Sequence, residues 1–491
     1  MGQDYFDRVR HIRTGIRIYS DLLIEKSLEV WSLKTRIGLF FFSLVTALLG
    51  TYFLAPEEFT LAQTYTLFAL FFSILLWGTE AIPPFAVGIF IMGFLIYTMR
   101  NVEGATIQPE KISNAWSDSV IWIFLGGFFL SEAMRKTNLD ISLFKFSISL
   151  FGNRPKYLLL GIIIVTSLLS LIISNTATAA MILASVMPLL DNEGKDSPIS
   201  KTILISIPVA ATFAGMASLI SSPPNLIVVD TLKSKGFDVS FVDWMVLGVI
   251  PAVLLLGGFW WAAHKKYLKD TKDVDLSFLD VKIIWTPRLR LNRLFVIGIL
   301  FTTIFFWVMG QRWHIPTALS SLIPIMFLPM LGVITAEDVR KLPWDTLMLV
   351  AGGLALGIAI KELLAPHFSA QLAGFQFNKI GMMVLFGVIT ILFSNIMSST
   401  ATATIAINIA AVVLPAEQLL PVALTVGLCS SCGLFLPVST PPNAIVFSTG
   451  MIKQSDFNLG GIFGGVFGLL VAILWVLFLD YCTPFLSSLT I

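Results

Sequence analysis

The stretch Leu171 to Leu183, LIISNTATAAMIL, interrupts an apolar run with a cluster of hydrogen-bonding side chains and then resumes it, with no charge near enough to draw it to a water surface. In hydrocarbon each unsatisfied polar group costs on the order of several kcal/mol, so the cluster needs a reason. One reason is capping: Ser174 or Asn175 can accept from the free backbone N–H groups of a helix that restarts at Thr176. A helix start inside a membrane is also an anion site, because its N–H groups and roughly +0.5 of charge point at whatever lies before it.

The same phrase returns about 220 residues later, where Ser398-Ser399-Thr400-Ala401-Thr402-Ala403 repeats Ser174-Asn175-Thr176-Ala177-Thr178-Ala179. A companion follows each copy: Ser221-Ser222-Pro223-Pro224-Asn225 after the first and Ser439-Thr440-Pro441-Pro442-Asn443 after the second. A glycine pair precedes each, Gly126-Gly127 and Gly352-Gly353, near matched Trp and Asp residues (Trp116 and Asp118; Trp344 and Asp345). Three markers in one order at similar offsets identify an internal duplication.

Composition sets the class. The chain is 56% hydrophobic and 13% charged, against about 25% charged residues in a soluble domain, so it reads as an all-α polytopic membrane protein. Its basic residues lie in short loops between apolar spans and not on one face, which excludes a nucleic-acid partner. Cys429, Cys432 and Cys482 are too few for a disulfide framework, and the first two read as small buried residues in an apolar span.

Residues 1–36 mix arginine, lysine and acids with apolar residues at helical spacing (Ile12, Ile16, Leu22, Leu23), the pattern of an amphipathic helix on the cytoplasmic surface and not of a cleavable signal peptide. Scaffold spans of a first repeat occupy 37–134, at about 37–54, 61–78, 84–99 and 119–134. The connection Thr79 to Pro84 is held stiff by its prolines, and Glu80 within it reads as a cap or loop charge. Residues 135–262 hold an interfacial arm, a hairpin at 157–190, a span at 202–229 broken by Ser221 to Asn225, and a span at 244–262.

The stretch 263–293 is a strongly basic cytoplasmic linker. Scaffold spans of a second repeat follow in 294–362, and 363–491 carries a second arm, a second hairpin (about 380–414), a broken span (about 421–450) and a last span (about 460–480). Each hairpin half is about 15 residues, short of the roughly 20 needed to cross, so both hairpins dip in and return. The expectation is about 11 transmembrane helices plus two re-entrant hairpins, with the N-terminus cytoplasmic and the C-terminus outside. Arg135, Lys136, Arg154, Lys156, Lys195, Lys201, Arg340, Lys341 and Lys453 then fall inside, and Arg100, Lys111, Lys233, Lys235, Arg312 and Lys379 outside. An odd number of crossings separates the hairpins, so the repeat is inverted and builds its site at the bilayer midplane between broken helices.

Sodium is bound by oxygens from hydroxyls, amide side chains and carbonyls freed where helices unwind. Ser170, Ser174 and Asn175, with the break at Ser221-Ser222, offer that set in the first half. Ser394, Ser398, Ser399 and Ser439 offer one in the second, where the nearby amide, Asn395, lies about one turn before the tip. The competing reading is that these residues only cap helices and allow close packing. A pair of copies, each with a proline-marked break, favours the ion site. An anion fits between the tips, where hydroxyls and helix N-termini converge without lysine or arginine.

At these residues the chain resembles the divalent anion:sodium symporter family of di- and tricarboxylate and sulfate carriers. The likeness runs from about residue 60 through TEAIPP, SNTATA, SSPPN, SSTATA and STPPNAIVF. It implies a homodimer with scaffold domains at the contact and a transport domain, carrying both hairpins, that slides as an elevator in the plasma (inner) membrane. It implies substrate contacts at Asn175, Thr176, Ser222, Ser398, Ser399, Thr400, Thr440 and Pro441, and a first sodium site at Ser170, Ser174, Asn175 and the backbone of Ser221. The second sodium site of the family maps to Ser394, Met397, Ser399 and Ser439. Here the sequence departs: the family's Ser-Asn-Thr is Ser398-Ser399-Thr400, so a hydroxyl stands where the family has an amide.

The expected function is secondary active transport of divalent carboxylates such as succinate, fumarate or malate, with sodium as coupling ion and no other cofactor. A sodium-independent dicarboxylate exchanger and a sulfate transporter are the alternatives. An enzyme is disfavoured because His11, His264, His314 and His367 are scattered and no acidic pair sits within a span. A channel is disfavoured by the inverted repeat with broken helices.

Overall fold

The structure is a computed structural model and describes residues 33–102, 105–139, 142–143, 146, 150–195, 197–269, 271, 273–274, 285–372, 378–437 and 439–489. Most of the expected N-terminal amphipathic segment, parts of both interfacial arms and the centre of the basic linker lie outside the described residues.

All regular structure among the described residues is helical. The first half runs α1 (Leu33–Leu54), α2 (Leu61–Thr79), α3 (Pro84–Asn101), α4 (Ser119–Lys136), α5 (Pro155–Ser170), α6 (Asn175–Glu193), α7 (Pro198–Gly215), α8 (Pro223–Lys233) and α9 (Phe241–Tyr267). The second runs α10 (Pro287–Met309), α11 (Thr317–Met330), α12 (Trp344–Ala359), α13 (Lys379–Ser394), α14 (Ser399–Val413), α15 (Ala416–Ser430), α16 (Pro441–Phe447) and α17 (Leu469–Cys482). Among the described residues, nine helical segments are long and apolar enough to cross a membrane. Two expected spans are shorter: α11 has 14 residues, and the span at 421–450 is broken between α15 and α16.

Helix boundaries follow local chemistry. Thr60 and Gln63 form a capping box at the start of α2, Asp118 accepts from the Val120 N–H at the start of α4, and Ser240 and Asp243 cap α9. Proline opens α3, α5, α7, α8, α10 and α16, where its missing N–H costs nothing. Glu80 ends α2 in the left-handed conformation (φ 49°), so it is the turn residue of the connection.

Helix pairing repeats from one half to the other. In the first group α3 packs on α12 and α4 packs on α11, each pair joining the two halves. The α3–α12 crossing is close because both contact residues lack a side chain: a Cβ built on Gly352 would lie 2.2 Å from Gly88 Cα. In the second group α5 and α6 form one hairpin and α13 and α14 the other. There α7 packs on α5 as α15 packs on α13, and α8 packs on α14 as α16 packs on α6.

Polar ties gather at the two ends of the helices. At one end Lys136 Nζ is 2.6 Å from Asp338, Arg293 donates to the Asn138 carbonyl (2.8 Å), and Trp260 donates to the Lys156 carbonyl (3.1 Å). At the other, Lys111 pairs with Glu362, Lys361 donates to the Ser234 carbonyl (2.6 Å), and Lys379 pairs with Asp480 (2.6 Å). Two features have no counterpart in the sequence reading: α12 runs on through a π-helical turn at Ile360–Leu364, and another at Phe463–Gly468 leads directly into α17.

Candidate substrate and cation site

The first hairpin turns through Leu171–Ser174, and its second helix begins at Asn175, one residue earlier than the sequence predicts. Ser174 is the cap: its side chain accepts from the Ala177 N–H at 3.3 Å. Asn175 is thereby free for another task. Ser170 Oγ, on the last turn of α5, lies 2.8 Å from Asn175 Oδ1 and 2.8 Å from the Ala211 carbonyl of α7. A serine hydroxyl has one proton, so of these two contacts only one is a hydrogen bond at any moment. Three oxygens crowded around one proton are the donor set that a hard cation prefers.

The break between α7 and α8 closes over the same place. Ser221 Oγ donates to the Gly215 carbonyl (3.0 Å), and Asn175 leans against Gly215 so closely that an added Cβ would sit 2.3 Å from its Oδ1. Asn225, fully buried, holds the loop by donating from Nδ2 to the carbonyls of Gly215 (3.0 Å) and Ser218 (2.8 Å). Of the four residues expected at the first cation site, Ser170, Asn175 and Ser221 therefore meet the end of α7 at Ala211 and Gly215, while Ser174 is engaged as the cap of α6. Ser222 caps α8 with its backbone only, and its side chain makes no capping hydrogen bond.

The second tip is built differently. Ser398 occupies the N-cap of α14 without a side-chain hydrogen bond, and Ser394 Oγ is buried without a hydrogen-bond partner. The amide comes from Asn395, whose Oδ1 accepts from the Phe435 N–H (2.8 Å) and the Ser439 hydroxyl (3.1 Å) and whose Nδ2 donates to the Ile391 carbonyl (2.8 Å). Neutral hydrogen bonds thus join this hairpin to the broken helix where the first half collects oxygens. Met397 is buried with its methyl toward Gly78 of α2, where a Cβ would meet it at 3.1 Å. Thr440 caps α16 by accepting from the Asn443 N–H (3.2 Å), and Asn443 repeats the Asn225 clamp on the Leu436 carbonyl (2.8 Å).

The cross-packing of α16 on α6 and α8 on α14 brings each break against the helix that follows the other tip. Thr176 and Pro441 are exposed, Ser398 and Ser399 half-buried, and Thr400, Ser222 and Thr440 buried. No residue in 170–180, 215–226, 394–404 or 433–443 carries a charge. The fixed positive potential at the tips comes from the N-termini of α6 and α14, which suits an anion that must also leave. Toward the first group, Gly353 and Gly357 of α12 face Thr404 and Asn408 of α14, with an added Cβ 2.9 Å from Thr404 Cγ2 and 3.0 Å from Asn408 Oδ1. The contact between the groups is therefore smooth on one side.

Sequence reasoning missed the Ala211 carbonyl, the role of Gly215, and the Asn225 and Asn443 clamps. A signal for Gly215 was present, because it and Gly433 each stand at the same distance before the cap residue of a proline-opened half-helix.

A model of the citrate-transporter family matches residues 74–428. The sodium-dependent dicarboxylate transporter SdcS of Staphylococcus saprophyticus is 30% identical over 439 residues, 82% of this chain and 83% of that protein. SdcS of Staphylococcus aureus is 27% identical over 482 residues, 90% of each chain. Among solved structures, the YdaH transporter of Alcanivorax borkumensis superimposes with a TM-score of 0.54 at 12% identity, over 82% of this chain and 100% of that one, a likeness of fold. The chain is a membrane transporter and not an enzyme; it belongs to the citrate-transporter family, in keeping with the divalent anion:sodium symporter resemblance read from its motifs.

Proposed function

We propose that the protein is a secondary active transporter of divalent carboxylates such as succinate, fumarate or malate, coupled to sodium and working by an elevator-type exchange of access. The observation that carries this reading is the oxygen cluster of Ser170, Asn175 and the Ala211 carbonyl at an uncharged hairpin tip. A cation there places its charge beside the N-terminus of α6, and the two together attract a carboxylate without a lysine or arginine to retain it. The second carboxylate falls to the tip at Ser398, Ser399 and Thr400, with Thr176, Ser222, Thr440 and Pro441 around the substrate. Ser394, Met397, Ser399 and Ser439 form the weaker second cation position. The dicarboxylate and sodium dependence of the named relatives support the same reading.

In this account the two hairpins and their broken helices are the transport unit. The α3–α12 and α4–α11 pairs are the scaffold, which contacts lipid and a second copy of the chain, and the glycine-lined contact at Gly353 and Gly357 is where the units glide. The repeat is inverted, with the N-terminus cytoplasmic in the plasma membrane. Asn175→Ala in proteoliposomes tests the assignment. Succinate uptake should fall to background while the purified variant keeps its elution profile and melting temperature; normal uptake by the variant would overturn it.

A further inference from the structure

Away from the tips, a cavity of about 140 Å3 lies between α8, α14 and the π-helical turn that follows α12. Its polar wall is Lys111, Asp230, Lys235, Lys361, Glu362 and Asn408. The volume is well below the roughly 300–1,000 Å3 of sites for drug-sized ligands, so it suits a molecule of few heavy atoms. Lys111, Lys233 and Lys235, three of the basic residues expected on the outer face, gather in or beside this one place.

The charges do not cancel. Glu362 is paired with Lys111, which leaves Lys235 and Lys361 in the wall with Asp230, and Asp118 and Lys233 adding one charge of each sign near that carboxyl. Lys361 Nζ donates to the Ser234 carbonyl (2.6 Å) and Lys235 Nζ to the Ala411 carbonyl (2.9 Å), both neutral acceptors. Each ammonium has three donors, so both retain N–H groups for a ligand. The two lysines also feel each other: burial, then the Lys361 charge, lowers the Lys235 pKa. An anion between them relieves that repulsion.

We propose that this cavity is a second, sodium-independent site for a small dicarboxylate dianion, with one carboxylate on Lys235 and the other on Lys361, where substrate is held before it reaches the hairpin tips. The inference rests on the dicarboxylate reading above, and adds to it a site that uses full charges where the tips use none. Lys361 stands on the element continuous with α12 and Lys235 on the turn after α8, so the ligand bridges the two helix groups.

The test is calorimetric titration of the purified full-length chain with succinate in buffer where choline replaces sodium, alongside the same titration with sodium. Wild type and Asn175→Ala should both bind succinate without sodium, with an affinity that falls as ionic strength rises. Lys235→Gln and Lys361→Gln should each weaken it by about tenfold or more, the loss of a hydrogen bond between charged groups. Lys361→Arg, which keeps the charge, should retain most of it. Binding that requires sodium in wild type overturns this site and leaves the transport reading standing. Sodium-free binding that is lost in Asn175→Ala and kept in both lysine variants also overturns it, by assigning that binding to the tip. Absence of succinate binding with and without sodium overturns both readings.

Discussion

Gly215→Ala adds one methyl group at the point where the first tip and the broken helix meet. Its Cβ would lie 2.3 Å from Asn175 Oδ1, 2.6 Å from Nδ2 and 2.8 Å from Cγ. Carbon and oxygen in van der Waals contact sit about 3.5 Å apart, so the amide must retreat by roughly 1 Å. Ser170 Oγ is now 2.8 Å from Asn175 Oδ1, and that retreat takes the pair beyond hydrogen-bonding distance. The loss of one polar contact is worth about 0.5–1.5 kcal/mol, which at its upper end is about tenfold in a binding constant. Because Asn175 carries both cation and substrate in this account, the apparent sodium affinity for succinate uptake should fall by about tenfold, with a smaller rise in the succinate KM. The assay is a sodium titration of succinate uptake in proteoliposomes, with Gly93→Ala as control, since nothing lies within 4 Å of a Cβ at that position. A Gly215→Ala protein whose sodium dependence matches wild type would refute the placement of the cation at Asn175.

Three further outcomes follow from the geometry. Asn225→Ala removes the donor to the Gly215 and Ser218 carbonyls in a fully buried loop, so the melting transition of the purified protein should drop by the equivalent of about 1–3 kcal/mol, and an unchanged transition would contradict the clamp. Burial pushes the Asp338 carboxyl up, but the hydrogen bonds from Lys136 and Thr335 outweigh it and hold the pKa below its ordinary value. The stability from this pair is then complete above the ordinary carboxylate pKa and is lost as pH falls through the depressed one; Asp338→Asn should lower the melting temperature at pH 7 and match wild type at pH values below that range, and a constant gap across the titration would show the ion pair to be inert. The Asn395 amide at the second tip is already engaged by the Phe435 N–H and the Ser439 hydroxyl, so sodium activation should show a Hill coefficient of about one, and Ser399→Asn combined with Met397→Ala should raise it; a flat response in this double variant would remove the second tip from cation binding.

Much of this was legible in the sequence because a membrane makes polar residues conspicuous. Ser174-Asn175-Thr176 and Ser398-Ser399-Thr400 stand out in apolar runs, and the paired prolines mark where helices restart, so tips and breaks could be placed before any coordinates. What the sequence hid was backbone and partner choice. The Ala211 carbonyl is invisible because an alanine's side chain says nothing about where its carbonyl points. Asn395 could be noticed as an amide near the second tip, but its hydrogen bonds to the Phe435 N–H and Ser439 hydroxyl depend on how the broken helix folds back. The cavity at Lys235 and Lys361 joins residues far apart in the chain, and the order of charges along the sequence does not bring them together. No periodicity marks the π-helical turns; at the second, Gly461 and Gly465 fit beside the Phe435 ring.

The central claim is that sodium drives dicarboxylate movement through the tip at Asn175. Its most direct test is uptake of labelled succinate by proteoliposomes that contain no internal dicarboxylate, with sodium outside and potassium inside. The account predicts accumulation above the external concentration that collapses when the sodium gradient is dissipated. Uptake that ignores sodium and appears only when dicarboxylate is loaded inside would contradict it, leaving Ser170, Ser174 and Asn175 as caps and anion donors in an exchanger.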